Sequence, residues 1–107
     1  MNRFEHIAAK VAADDLYFEL NQIMWRTKDA ISKATKKALE SNNAEAMEML
    51  ERAQKPFYGL MQMAGWQFTK YSDPWKNVSE SQAVRLLNTA KDTLQIVKKI
   101  VRTYRLA

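Results

Sequence analysis

The sequence predicts an all-α, single-domain antiparallel bundle of three principal helices, at about 3–40, 43–72 and 79–105. Two glycines and two prolines in 107 residues leave almost nowhere for the tight turns of a multi-stranded sheet. Apolar residues recur at alternating spacings of three and four over long stretches, which is the period of an amphipathic helix. Stop and cap signals gather at "SNN", residues 41–43, and at "YSDPWKNVSESQ", residues 71–82, so three helical segments remain between them.

In the first helix one apolar stripe runs through Phe4, Ala8, Val11, Phe18 and Trp25, and a second through Tyr17, Leu20, Met24, Ile31, Ala34 and Ala38. Asp15 falls on the first stripe, which predicts a bend, a solvent gap or a polar contact near Asp14 and Asp15. At about 1.5 Å per residue the three helices measure roughly 57, 44 and 38 Å, so the first has about a dozen residues to spare. Phe4, Ile7 and Val11 lie in that excess. Either the helix folds back at Asp14 and Asp15 or a second copy covers these side chains, which makes them candidates for self-association.

The second helix opens on Asn42 or Asn43 as N-cap, with Glu45, Glu48 and Glu51 following where carboxylates meet the positive end of the macrodipole. Leu50, Phe57, Ala64 and Tyr71 repeat every seven residues, Met47, Met61 and Phe68 fill the alternate positions, and Gln54 is the polar interruption. Leu60 and Met63, with Met49 and Ala53, widen this apolar face. Pro56 removes one helical hydrogen bond at a cost of roughly 3 kcal/mol. The apolar phase survives it, so a kinked but continuous helix is expected. Trp66 is nine positions from Phe57, hence about 180° round the helix. It is read as outward-facing, and with Tyr58 and Trp75 it forms a candidate partner-binding face.

Ser79 and Gln82 have the spacing of a capping box and start the third helix. Its seam is Ala83, Leu87, Ala90, Leu94, Val97, Val101 and Tyr104. One residue round from that seam, Lys91, Lys98, Arg102 and Arg105 make a basic ridge of about 21 Å that could track a phosphate backbone.

The charges are segregated along the chain. Residues 26–37 hold five bases and one acid, 40–51 four acids and no base, and 85–105 six bases and one acid. Bases late in the first and third helices and acids early in the second are what helix dipoles favour, so the pattern has a structural reading as well. Overall, seventeen basic against twelve acidic residues give +5, a modest bias toward anionic partners.

Catalytic chemistry finds little support in the residues. His6 is the only histidine, which removes every site that needs two imidazoles and the Glu-x-x-His pairs of di-iron bundles. Asp15 and Glu19 share a helix face, and Glu45, Glu48 and Glu51 recur every third residue. After Glu51 the only acids are Asp73, Glu80 and Asp92, so no second paired motif completes a magnesium site. Gly59 and Gly65 stand alone, so there is no phosphate loop. With no cysteine, thiol chemistry and disulfides are excluded. The opening "MNRFEHIAAKVAADD" carries charges at Arg3, Glu5 and Lys10, so it lacks the apolar run of a secretory signal. No window approaches a membrane span. The expectation is a cytoplasmic, non-catalytic module without metal or cofactor that binds another protein through helical surfaces. The alternative is a basic subunit that contacts nucleic acid backbone independently of sequence.

Overall fold

The computed structural model describes the backbone of residues 3–66 and 78–106, and side chains for 15–66 and 78–106. Three helices are formed: α1, Arg3–Glu40; α2, Ala44–Ala64; and α3, Glu80–Tyr104. Every pair of them packs together, as a three-helix bundle requires. The side chains of Phe4, Ile7 and Val11 lie outside the described residues, as do Phe68, Tyr71 and Trp75 and the turn expected at 72–77.

Side-chain hydrogen bonds between helices give the directions. Tyr17 Oη donates to the Val78 carbonyl at 2.8 Å and Thr27 Oγ1 to the Ala90 carbonyl at 3.2 Å, so α1 and α3 run the same way. Tyr104 Oη donates to Glu45 Oε1 at 2.9 Å, which sets the end of α3 against the start of α2. The order is therefore up, down, up. α1 passes through residues 14 and 15 without leaving helical conformation. The long axis of the molecule, 59 Å, is close to the roughly 57 Å of a straight 38-residue helix. Asp15 is exposed, so the polar interruption of the first stripe is met by solvent.

Each helix ends on a residue in the left-handed region: Asn42 at φ 52°, Gly65 at φ 74° and Arg105 at φ 55°. The next amide then reaches back five residues, from Asn43 to the Ala38 carbonyl at 2.9 Å, from Trp66 to Met61 at 3.0 Å and from Leu106 to Val101 at 2.9 Å. This closing turn satisfies carbonyls that a helix end would otherwise leave without donors. The starts of α2 and α3 are as well marked as their stops. Asn43 Oδ1 accepts from the Ala46 amide at 3.0 Å. Ser79 and Gln82 exchange the two bonds of a capping box. α2 is uninterrupted at Pro56, as one helix rather than two.

Gly65 changes the reading of the second helix. The seam was expected to continue to about residue 72, but the left-handed turn at Gly65 stops α2 at Ala64. Trp66 is consequently not on the helix, and the angle counted from Phe57 does not apply to it. The chain turns and the indole enters the core, 3 % exposed, which corrects its expected outward position.

That core is continuous through the bundle. Leu20, Met24, Ile31, Ala34 and Ala38 supply it from α1, and Leu50, Ala53 and Phe57 from α2. α3 buries two adjacent stripes: the expected seam positions Ala83, Leu87, Ala90 and Val97, and beside them Leu86 and Ile100, because it packs against both other helices. Two threonines, Thr27 and Thr93, are buried with them. Three residues of the expected apolar stripes, one on the first stripe of α1 and two beside the seam of α2, are on the surface instead. Phe18 is 65 % exposed and Met63 80 %, and Met49 is exposed as well. The apolar face of α2 is thus narrower than its sequence pattern.

Candidate functional site

α1 presents small residues toward α3. Ala30 and Ala34 leave little bulk opposite Val97 and Val101, and Leu106, folded in after the Arg105 turn, closes one end. The result is a groove of about 720 Å³ between two parallel helices, with an aliphatic floor. No residue of α2 lines it, since α2 lies on the other side of the pair.

Its rim is cationic. Lys33, Lys36 and Lys37 stand on the α1 side, Lys98 and Arg102 on the α3 side, and Gln95 and Glu40 complete the border. All five cations are exposed. Glu40 approaches Lys37 at 3.9 Å, a surface contact one turn away on the same helix. Such a pair contributes little, so it leaves the rim strongly basic.

Helix dipoles account for part of this charge. Lys37 and Arg102 occupy the last turns of α1 and α3, where a cation is stabilised by about 0.3–1 kcal/mol. Lys33 and Lys98 are nearly two turns from those ends, beyond the reach of the effect. Lys33 also faces like charges at Lys36 and Lys37, three and four residues on, which is mildly destabilising. Asp29, four residues before Lys33, offsets part of that repulsion, so the helix dipole explains Lys37 and Arg102 but not the placement of Lys33 and Lys98.

The basic ridge read on the third helix divides. Lys98 and Arg102 form one wall of the groove. Lys91 is held in an ion pair with Glu19 at 2.8 Å, and Arg105 is the left-handed residue past the helix end, beside Lys37 and Ser41 in a neighbouring hollow. The lysines of α1 were missed as partners of this ridge. The signal was present in the basic run at 26–37, since an up-down-up order must set the late halves of the first and third helices side by side.

The expected aromatic face is not assembled among the described residues. Trp66 is in the core, while Tyr58 is half-buried with its ring edge-on to Phe57 at 5.0 Å and lines a different hollow, between α1 and α2. Burial raises the Tyr58 pKa. The carboxylates weighed as metal ligands have other neighbours. Glu19 pairs with Lys91, Glu48 with Arg52 at 2.7 Å, and Glu45 accepts from Tyr104. Among the described residues no three potential ligands converge, and no described helix is long and apolar enough to cross a membrane.

No protein family, curated protein or solved structure matches the chain. The groove therefore carries the functional reading on its own chemistry.

Proposed function

We propose that the chain is a non-catalytic binding module that takes an acidic segment of another protein in the groove between α1 and α3. One observation carries this reading: five exposed cations from two helices surround a groove in which Ala30 and Val101 remain half-buried, so charge and a narrow apolar strip are offered to the same ligand. Adaptors, inhibitors and subunits of larger complexes all work through surfaces of this kind. A chain without cysteine suits a reducing compartment such as the cytoplasm.

The second reading, contact with nucleic acid backbone, draws on the same cations. Against it, no aromatic side chain among the described residues lines the groove, so phosphates would find charge but bases would find no platform to stack on. Fluorescence anisotropy separates the two. Labelled acidic peptides and single- and double-stranded oligonucleotides are titrated at about 50 mM salt, where phosphate contacts are strong. The protein reading expects peptide binding that is lost in a Lys33→Glu/Lys98→Glu variant. Tighter binding of oligonucleotide, falling steeply with salt, assigns the groove to nucleic acid, and binding of neither removes it as a site.

A further inference from the structure

Resting on that reading, we infer that the acidic segment docks as an amphipathic helix, antiparallel to α1 and α3. The groove is straight because its walls are two parallel helices. It extends from Ala30 to Glu40 on one and from Gln95 to Leu106 on the other. Those spans correspond to about 15 Å, or roughly three helical turns. An extended strand has nothing to pair with here, since the backbone groups of both walls are used within their own helices. A helix arrives with its own backbone satisfied and needs only to place side chains. Apolar residues at i, i+3 or i+4, and i+7 fall in one line on such a helix and meet the half-buried Ala30 and Val101 and the aliphatic stems of the rim lysines, with Ala34 and Val97 beneath them in the core. Acidic residues flanking that line fall on either side, toward Lys33 and Lys37 or toward Lys98 and Arg102.

Polarity follows from the walls. Both α1 and α3 end at the same end of the groove, where Glu40 and Leu106 lie, so the negative ends of two macrodipoles are there. A docked helix is favoured with its positive N-terminus at that end. It would then stand across the α1–α3 pair from α2 and run in the same direction as α2, giving four helices of alternating sense.

Three labelled peptides of identical composition and charge test this on the full chain. One places its apolar residues in a single helical stripe, one scrambles them among the same acids, and one keeps the stripe but carries a central proline, with the proline at the first position in the others to match composition. The striped helix is expected to bind at least tenfold more tightly than either control. A nitroxide on its N-terminus is expected to broaden the amide signals of Arg102 and Leu106 more than those of Ala30 and Lys33. Equal affinity of the three leaves the acidic-partner reading standing and overturns the helix. No binding by any of them overturns both. Broadening at Ala30 and Lys33 instead reverses the polarity and refutes the antiparallel arrangement. Self-association of the chain alone, abolished by Lys98→Glu, would assign the groove to a second copy and overturn the inference.

Discussion

The Thr27 hydroxyl sits 3.2 Å from the Ala90 carbonyl oxygen and 2.7 Å from that of Ile23, in a fully buried position in the second half of α1. One polar atom thus bridges the helix to its parallel neighbour within the core. Thr27→Val keeps the shape and removes the donor. It is expected to lower unfolding stability by about 1 kcal/mol, the net contribution of an ordinary intramolecular hydrogen bond. Urea denaturation checks this, with the denaturant slope unchanged if the fold is retained. A variant as stable as the wild type would mean that the bridge contributes nothing.

Trp66 and Phe18 exchange the roles that their sequence positions suggest. The indole is buried and the phenyl ring is largely in solvent. Trp66→Ala is expected to cost roughly 3–5 kcal/mol, as truncation of a large buried aromatic does. Phe18→Ala should stay within about 0.5 kcal/mol of the wild type. Thermal and urea melts of the two variants decide it, and a small effect at Trp66 would place that side chain outside the core.

Much of the fold was legible because its signals are local. A cap at Asn43, the capping box from Ser79 to Gln82, the second stripe of α1 and the seam of α3 depend on residues within one or two turns, and the structure has them where the pattern places them. The end of α2 was not, because apolar periodicity continues past Gly65 and only its positive φ reveals the stop. The groove was half legible. Lys98 and Arg102 stand out as a ridge on one helix, but a site built from two helices depends on which faces meet, and that is set by packing rather than by spacing. Thr27 breaks the apolar pattern in the sequence, and nothing local shows that a carbonyl of α3 is waiting for its hydroxyl.

The two glycines of α2 should respond to alanine with opposite signs. Neither leaves a neighbour within 4 Å of an added Cβ, so only the backbone distinguishes them. Gly59 is inside the helix, where alanine restricts the unfolded chain and suits the folded one. Gly59→Ala is expected to stabilise by about 0.4–1 kcal/mol. Gly65 holds φ 74°, a region costing an L-residue roughly 1–2 kcal/mol, so Gly65→Ala is expected to destabilise by about that much. Paired urea titrations suffice, and a gain at position 65 would show that the left-handed stop is dispensable.

Tyr104 and Glu45 tie the end of α3 to the start of α2 and make stability depend on alkaline pH. The hydrogen bond to the Glu45 carboxylate, with smaller contributions from desolvation and from its negative charge, raises the Tyr104 pKa above its ordinary value of 10.0. The folded chain therefore holds this proton more tightly than the unfolded one, and stability falls with pH wherever the folded state carries more protons. The contribution is complete below the unfolded value, about 10 for tyrosine, and is lost as pH rises through the higher folded value. Tyr104→Phe removes it, so the excess in urea midpoint of wild type over variant should be constant up to about pH 9 and shrink by about pH 11. Tyr58, whose pKa is also raised, is present in both proteins and cancels in the comparison. An excess that stays constant across the whole range would show that the Tyr104 proton is held no more tightly in the folded chain.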